Sequence, residues 1–340
     1  MRRDWWNTDQ PSALIAGRIL GIVTLLAILI GMARATPALA VQAKPATDWS
    51  FYVRYIDPNP GDDYPQAYNL GCNQGHFDAS YGQNSEVVLD FGAQDFSGAG
   101  GSPGTRLTVV NTFEDYSQIS GYAERFAFGY YYCTGTDTTT TLHLGIGTNN
   151  STYNFDRVDY GGGEDWATEV NNIANDVANQ GESSQVVVFG ASDMELDWHD
   201  AASTINWVNG YQAQTSNHLL NFGDAAGCPP SGGCDNQWTV ANVYYVSWGD
   251  PIAYSLPEIY YSTNAQQWQN ISLYGVTSGQ SAGKIVFDGP LDQYDLCPSS
   301  NTSDQAWNQL WTDINQDSRT ASSLTYSAEM HTSNGSSGGC

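Results

Sequence analysis

Short apolar runs alternate with helix-like segments along this chain from residue 86 onward. Near-continuous apolar runs are typical of strands buried on both faces, and parallel strands need a long crossover, usually a helix, between them. The pattern therefore predicts an α/β fold built on a parallel sheet. The runs that predict strands are 86–92, 141–148, 184–196, 218–224, 243–250, 257–262 and 284–290.

The number of these runs favours a barrel over an open sheet. Seven strands in about 200 residues fit a single (β/α) barrel of the TIM type better than a doubly wound open sheet, which stays the alternative. The count is one short of eight, and residues 249–257 are too few for a full helix. We therefore expect an irregular barrel over residues 85–330.

Two further segments differ from this pattern in composition. Residues 41–84 are rich in Asp, Pro, Gly, Asn and Tyr and show no helical period, which predicts a loop-rich N-terminal extension. Within it, 51–58 could form one strand on the outside of the domain. Residues 331–340 are rich in Gly and Ser and predict a flexible tail.

The N-terminus has the features of a secretory signal peptide. Arg2, Arg3 and Arg18 precede an apolar run over 19–33, and Ala-Leu-Ala at 38–40 has the form of a signal-peptidase site. The run of 15 residues is short for a membrane span of roughly 20 residues, although an uncleaved anchor stays the alternative. The pattern predicts a signal peptide over 1–40 and a secreted protein with no membrane contact after cleavage.

The charge balance limits the partners. The chain has 36 acidic and 11 basic residues and a formal net charge of −25. Such a field repels nucleic-acid phosphates and anionic lipids. It is compatible with a monomer that binds neutral or cationic partners, such as a polysaccharide or another glycan.

Six cysteines, all after residue 70, predict disulfides in an exported protein. Six cysteines allow 15 connectivities. Cys228 and Cys234 flank a turn-rich stretch and form the easiest bridge, and position then suggests Cys72–Cys133 and Cys297–Cys340. No CxxC motif is present and the five histidines are scattered singly, so we expect neither a metal site nor a cofactor.

Carboxylates follow several of the predicted strands. In a barrel of parallel strands the carboxyl ends of the strands face one mouth, where active sites are built. Asp193 and Glu195 share one strand face, and crowding of two carboxylates raises a pKa so that one can act as an acid. Glycosidic bond cleavage needs such a pair. The catalytic candidates are Glu195, Asp193, Asp90 and Glu258; helix capping is the alternative role for an Asp in this position.

Aromatic side chains near the strand ends indicate a sugar-sized groove. Sugars pack their C–H faces on aromatic rings and need polar partners for their hydroxyl groups. We expect substrate contacts from Trp248, Trp198, Tyr260, Asp224 and Asp288. Plain core packing is the alternative, and it is the expectation for Trp166, Trp207, Trp268 and Trp307, which lie on helical stripes.

Four stretches follow one another in the chain: VVLDFGAQ, VVVFGASDMELDW, HLLNFGD and VYYVSWG. Their order resembles that in lysozyme-like muramidases of the Chalaropsis type, and more closely that in their glycoside-hydrolase-like relatives among secreted actinobacterial proteins. The resemblance implies that Asp90 is the acid ending the first strand. It also implies that Asp193 and Glu195 are the Asp-x-Glu of a middle strand, with Glu195 as proton donor, and it leaves Asp288 as the candidate for the final acid.

A second clan of barrels places its acid and nucleophile after the fourth and seventh strands, which would assign Glu195 and Glu258. The Asn-Glu dipeptide of that clan is absent, since Met194 precedes Glu195. Both resemblances predict a secreted enzyme that cleaves glycosidic bonds in cell-wall or environmental polysaccharide. A catalytically silent barrel that binds glycan or a surface partner is the alternative.

Overall fold

The computed structural model of the protein describes residues 42–57, 64–229 and 233–335, which belong to one compact unit. The predicted signal peptide over 1–40 lies outside the described residues. Among the helices that are described, none combines the length and the apolar character needed to cross a bilayer.

A parallel sheet forms the centre of the described chain. Eight parallel strands lie in the order β8-β7-β6-β5-β2-β1-β10-β9, and an antiparallel hairpin, β3–β4, pairs with β2. The ten strands are β1 (Asp48–Tyr52), β2 (Ser85–Phe96), β3 (Pro103–Arg106), β4 (Phe113–Asp115), β5 (Leu142–Asn149), β6 (Val186–Asp193), β7 (Leu219–Asn221), β8 (Ala253–Ser255), β9 (Leu291–Asp292) and β10 (Ala328–Thr332).

A helix separates each parallel strand from the next one along the described chain. The α-helices of the described residues are α1 (Pro65–Tyr81), α2 (Tyr116–Cys133), α3 (Tyr160–Asn179), α4 (Ala201–Gln214), α5 (Val240–Tyr244), α6 (Asn264–Thr277) and α7 (Ser303–Gln316). Side chains of Asp115, Asp159, Asp200, Thr239 and Thr302 accept hydrogen bonds from first-turn N–H groups and so fix where five of them begin. The mixed α/β class and a barrel-like arrangement are thereby confirmed.

The sheet curls towards a barrel, but its regular ladder does not close. The terminal strands β8 and β9 are linked through an isolated parallel bridge between Glu258 and Leu291. Hydrogen bonds from Ile259 N to Leu291 O and from Leu291 N to Pro257 O accompany it, at 2.9 Å each. The expectation of a closed barrel is therefore wrong in this respect, because the last strands are too short to form a continuous ladder.

The segment 41–84 is not the loop-rich extension that its composition suggests. Strand β1 lies inside the sheet, between β2 and β10, rather than outside the domain. Helix α1 follows it, and the side of this helix that faces the protein consists largely of glycine and polar residues. Such a helix has no apolar stripe, which is why its period is invisible in the sequence.

Three of the predicted strands are also corrected. Residues 243–250 fold as the end of α5 and a π-helical turn, Tyr245–Gly249, because Thr239 and Asn242 form a capping box that starts a helix there. Residues 257–262 and 284–290 form no regular strand, and the bridge at Glu258 is their one ladder contact in the described chain. The predicted tail begins inside β10, and 336–340 lie outside the described residues.

The core follows the predicted pattern closely. All but one residue of each of β2, β5 and β6 is buried, as expected for strands covered on both faces. The helical stripe of α3 is buried against the sheet, and so are the four tryptophans that the sequence assigns to the core: Trp166, Trp207, Trp268 and Trp307.

Two disulfides predicted from the sequence, Cys72–Cys133 and Cys228–Cys234, are confirmed and are compatible with an extracellular protein. The first joins α1 to α2, whose backbones approach closely: a Cβ atom at Gly71 would overlap Phe126 O. Cys297 is disulfide-bonded as well. The predicted Cys297–Cys340 pairing involves a residue outside the described chain.

The two confirmed disulfides should differ in their contribution to stability. They span 61 and 6 residues of sequence. From loop-closure entropy we expect Cys72→Ala/Cys133→Ala to lower the free energy of unfolding by about 4 kcal/mol and Cys228→Ala/Cys234→Ala by about 2 kcal/mol. Urea unfolding of both double variants measures this, and equal losses would contradict a loop-length origin.

Candidate active site

A cavity of about 330 Å³ opens at the carboxyl ends of the parallel strands. This is the end of a barrel-like sheet at which active sites are built. The cavity is lined by residues from many separate segments of the chain: Tyr52, Arg54, Asp90, Thr108, Val109, Asn149, Asp193, Glu195, Trp198, Asp224, Glu258, Tyr260, Tyr261, Gln293 and Leu296.

Asp193 and Glu195 reach the cavity from the end of β6. Asp193 is the last residue of that strand and pairs in register with Asn149 of β5. The neighbouring Asn150 holds the backbone at Glu195: its Oδ1 accepts from Glu195 N and its Nδ2 donates to Glu195 O, both at 3.0 Å. The predicted Asp-x-Glu pair is thus fixed at the mouth by backbone contacts.

Glu258 enters from the extended segment after β8. Its backbone N–H donates to Gly223 O at 3.2 Å, which places it beside the end of β7. Its Oε1 accepts a hydrogen bond of 2.5 Å from Tyr260 Oη. Glu258 therefore follows the sixth parallel strand in chain order, and not the seventh as the second clan requires.

The carboxyl groups of Asp193, Glu195 and Glu258 converge. One oxygen atom of each lies within 4.8 Å of the other two. Asp193 is 2% exposed and Glu258 is 1% exposed, while Glu195 is half-buried. Asp193 Oδ1 and Glu258 Oε2 have no hydrogen-bond partner. Carboxylates so close are able to share protons or to hold one cation between them.

Burial and mutual repulsion keep protons on this cluster. Burial, followed by the charge of Glu258, raises the pKa of Asp193 well above its ordinary value. Burial, followed by the charge of Glu195, does the same to the pKa of Glu258, and the hydrogen bond from Tyr260 acts in the opposite direction. Of the two buried acids, Glu258 is therefore the one whose charged form is stabilised by a hydrogen bond from a neighbouring side chain.

The pKa of Glu195 is raised to about 8, so this group is an acid at neutral pH. Burial is the main cause, and the carboxylates of Asp224 and Asp197 add to it. The two acids of the Asp-x-Glu also influence each other, because the charge of Glu195 is one cause of the raised pKa of Asp193. Asp200 caps α4, and neither Asp197 nor Asp200 is among the residues that line the cavity.

Asp90 and Asp224 complete the acidic lining. Asp90 accepts hydrogen bonds from Gly92 N at 3.0 Å and Thr108 Oγ1 at 3.2 Å, and burial raises its pKa to about 6. Burial also raises the pKa of Asp224. Asp90 lies on the second parallel strand rather than the first, because β1 precedes it in the sheet.

Exposed apolar side chains form the walls. Trp198 is 38% exposed and Tyr261 is 53% exposed, and both line the cavity. The turn between β3 and β4 adds Val109, which has a φ of 71°. A β-branched residue in this region is a backbone outlier, and such strain is concentrated at functional sites.

Two predicted contact residues lie elsewhere. Trp248 belongs to the π-helical turn and lines a separate depression that includes Ala253, the first residue of β8. Asp288 lies near Glu86 and His143, at the amino-terminal ends of β2 and β5. Both differences have one origin: the apolar runs at 243–250 and 284–290 predict strands that end at the mouth, and neither run forms a strand.

Several lining residues were missed in the sequence. Tyr52 pairs in register with Asp90 because β1 and β2 are neighbours, and its hydroxyl hydrogen bonds with Tyr260. Asn149 ends β5, and Gln293 follows β9. Of these three residues, only Asn149 has a signal in the sequence, because it follows the apolar run 141–148. Tyr52 and Gln293 lie at or next to β1 and β9, two short strands that the composition of the sequence does not reveal.

No protein-family model and no curated protein sequence matches this chain. The resemblance to muramidases therefore stays a prediction, and the function has to be argued from the geometry of the site.

Proposed function

We propose that this protein is a secreted glycoside hydrolase that cleaves glycosidic bonds in cell-wall or environmental polysaccharide. One observation carries the proposal: the carboxyl groups of Asp193, Glu195 and Glu258 converge within 4.8 Å at a cavity on the carboxyl side of the sheet. Glycosidases need a protonated carboxyl group and an ionised partner on either side of the scissile bond.

The environment of each group assigns its role in this proposal. Glu195 is partly accessible and, with a pKa of about 8, carries the proton that the leaving oxygen needs. Glu258 is buried and its pKa is raised, but it accepts the Tyr260 hydroxyl, which favours its charged form, so it is the group that we assign to attack or stabilise the sugar cation once it has given up its proton. Asp193, between them, is the group with which they share protons.

The walls of the cavity support a sugar ligand. Trp198 and Tyr261 offer ring faces to the C–H faces of a sugar, and Asp90, Asn149 and Gln293 are placed to accept or donate hydrogen bonds to its hydroxyl groups. The muramidase-like assignment is supported for the Asp-x-Glu alone. Asp288, the candidate for that family's final acid, is not among the cavity lining.

A silent glycan-binding barrel has less support. That alternative expects the acids to serve in helix caps or ion pairs with arginine. In the described chain, helix caps are made by Asp115, Asp159 and Asp200, and none of the three converging carboxylates is among them. Ion pairs with arginine are formed by Asp95, Asp165 and Asp317.

The proposal is tested by release of reducing ends from a panel of polysaccharides that includes peptidoglycan. We expect the wild-type protein to release them from at least one polymer and Glu258→Gln to release almost none. Because the carboxyl oxygens lie closer than the roughly 6.5–9.5 Å of inverting enzymes, the product should retain the anomeric configuration.

The anomer formed first, observed by NMR, checks the second part of this prediction. If the product has the inverted anomeric configuration and Glu258→Gln is inactive, the protein is still a glycoside hydrolase, but Glu258 is not its nucleophile. Binding of a glycan without turnover on any polymer of the panel would reject hydrolysis and favour the silent barrel.

A further inference from the structure

Acidic side chains surround the cavity from four of the eight parallel strands. One basic side chain, Arg54, stands against five carboxyl groups among the described residues that line it. The five are Asp90 on β2, Asp193 and Glu195 at β6, Asp224 after β7 and Glu258 after β8. The site therefore has more negative groups than a two-carboxylate hydrolysis requires.

Two atoms in this lining lack any partner. Asp193 Oδ1 and Glu258 Oε2 are buried and accept no hydrogen bond, although both side chains line the cavity. A buried carboxylate oxygen without a partner is costly, and a cationic donor satisfies it better than a neutral hydroxyl group does. The unpartnered atoms thus indicate a ligand that brings both N–H donors and positive charge.

The shape of the site favours an ammonium group on a sugar over a bare metal ion. The acids are spread around a space of about 330 Å³, and Asp90 and Asp224 lie outside the convergent trio. The exposed rings of Trp198 and Tyr261 suit both the C–H faces of a sugar and a cation above a ring face. A metal ion would use neither the volume nor the rings.

The net charge of the whole chain also favours a cationic ligand. A formal net charge of −25 attracts a polycation over long distance and raises its local concentration at an acidic cleft. This attraction is independent of the groups inside the cavity, and salt should weaken it.

We propose that the ligand of this cavity is an amino sugar with a free ammonium group, so that the substrate class is oligosaccharides and polysaccharides of unacetylated aminohexoses. The proposal rests on the proposed function in placing a sugar in the cavity, and it adds the charge of that sugar. Neutral N-acetylated polymers are the alternative that it excludes as preferred ligands.

Calorimetric titration of Glu195→Gln, with intact oligomers as probes, tests the proposal without requiring turnover. The probes are tetramers of glucosamine and of galactosamine and their N-acetylated counterparts, each with EDTA present. We expect at least one amine tetramer to bind about tenfold more tightly than its acetylated form, or about 1.4 kcal/mol. Higher salt should reduce the difference.

Two variants locate the effect. Asp224→Asn should reduce the amine preference several-fold, because it removes a carboxylate from the lining. Asp304→Asn removes a carboxylate whose side chain is 80% exposed and which does not line the cavity, so it should keep the preference. An equal loss in both variants would assign the preference to overall charge and overturn the proposal.

The remaining outcomes separate the two proposals. If the acetylated tetramers bind as tightly as the amines, this inference falls, whereas hydrolysis of an acetylated polymer would leave the proposed function standing. If amines bind preferentially and no polymer is cleaved, the inference stands and hydrolysis falls. Binding of Ca²⁺ or Mg²⁺ with no amine preference would overturn the amino-sugar assignment in favour of a cation site.

Discussion

Replacing Glu195 with glutamine is expected to lower turnover by roughly 10²- to 10⁴-fold, which is the usual contribution of a positioned general acid. The carboxamide keeps the shape of the side chain, and the Asn150 contacts to the Glu195 backbone do not depend on it. The melting temperature should stay nearly unchanged or rise slightly, since glutamine cannot ionise at a position where burial and neighbouring carboxylates disfavour the charged form. Steady-state kinetics and thermal unfolding of the same preparation measure both effects.

Asp197→Asn provides the matched variant. The Asp197 carboxylate helps to raise the pKa of Glu195, so its removal should lower that pKa from about 8. The acid then loses its proton at lower pH, and the basic limb of the kcat profile should move to lower pH with little loss of turnover at acidic pH. This differs from the loss at every pH that we expect for Glu195→Gln.

Equal turnover for the wild type and Glu195→Gln would assign the acid to another group, with Glu258 the next candidate. A basic limb that does not move in Asp197→Asn would mean that Glu195 is not the group whose proton limits the reaction. Either result leaves the geometry intact and changes the assignment of roles.

The free energy of unfolding is expected to fall as the pH rises from about 5 to about 8. Burial raises the pKa of many carboxyl groups, and Glu86 is the clearest case. It is fully buried, neither of its oxygen atoms has a hydrogen-bond partner, and its pKa is raised to about 8. Since burial lowers the pKa of His143, the 3.7 Å approach of its Nδ1 to Glu86 Oε2 is not an ion pair at neutral pH.

The sign follows from proton binding. Between the ordinary pKa of 4.5 and the raised value of about 8, folded Glu86 holds a proton that the unfolded chain releases, so raising the pH favours unfolding. For this group alone the loss is on the order of 4 kcal/mol at pH 8. Raised pKa values also apply to Asp48, Asp78, Asp90, Asp193, Glu195, Glu258, Asp288 and Asp292.

For a few groups the folded protein has a lowered pKa, and these groups make the protein less stable as the pH falls. The pKa of Asp200 is lowered chiefly by the hydrogen bond from the Ser203 backbone N–H, so its contribution is lost as the pH falls below about 4. Stability should therefore be greatest near pH 4–5, the region between these two windows.

Glu86→Gln tests the origin of the effect. The carboxamide does not titrate, so the stability difference from the wild type should be small at pH 5 and grow steadily to pH 8, in favour of the variant. The charge of Glu86 also helps to raise the pKa of Asp48, Asp288 and Tyr326, so part of the difference between the two proteins comes from these neighbours. Urea unfolding at pH 5, 6.5 and 8 measures the difference, with the exposed Asp304→Asn as control. Parallel pH curves for the wild type and Glu86→Gln would show that Glu86 does not retain its proton.

The sequence by itself determined those helices and strands whose buried residues recur at a regular spacing along the chain. The apolar runs became β2, β5 and β6, and the helical stripes that carry Trp166, Trp207, Trp268 and Trp307 became α3, α4, α6 and α7, because burial on both faces or on one stripe requires such patterns. The Asp-x-Glu at the end of β6 followed from the same run. The two confirmed disulfides followed from the position of the cysteines, which made their pairing a limited choice.

The tertiary structure alone decided what depends on contacts between distant segments. Strand β1 is short, and α1 packs through glycine and polar side chains, so neither has a local signal. Their place in the sheet comes from pairing of β1 with β2 and β10, which brings Tyr52 beside Asp90. Glu258 meets Asp193 because the curled sheet brings the end of β8 back across the mouth, and Glu195 owes its raised pKa to burial and to Asp224 and Asp197. Periodicity reports the environment of a residue along its own element, whereas convergence and desolvation depend on the path of the whole chain.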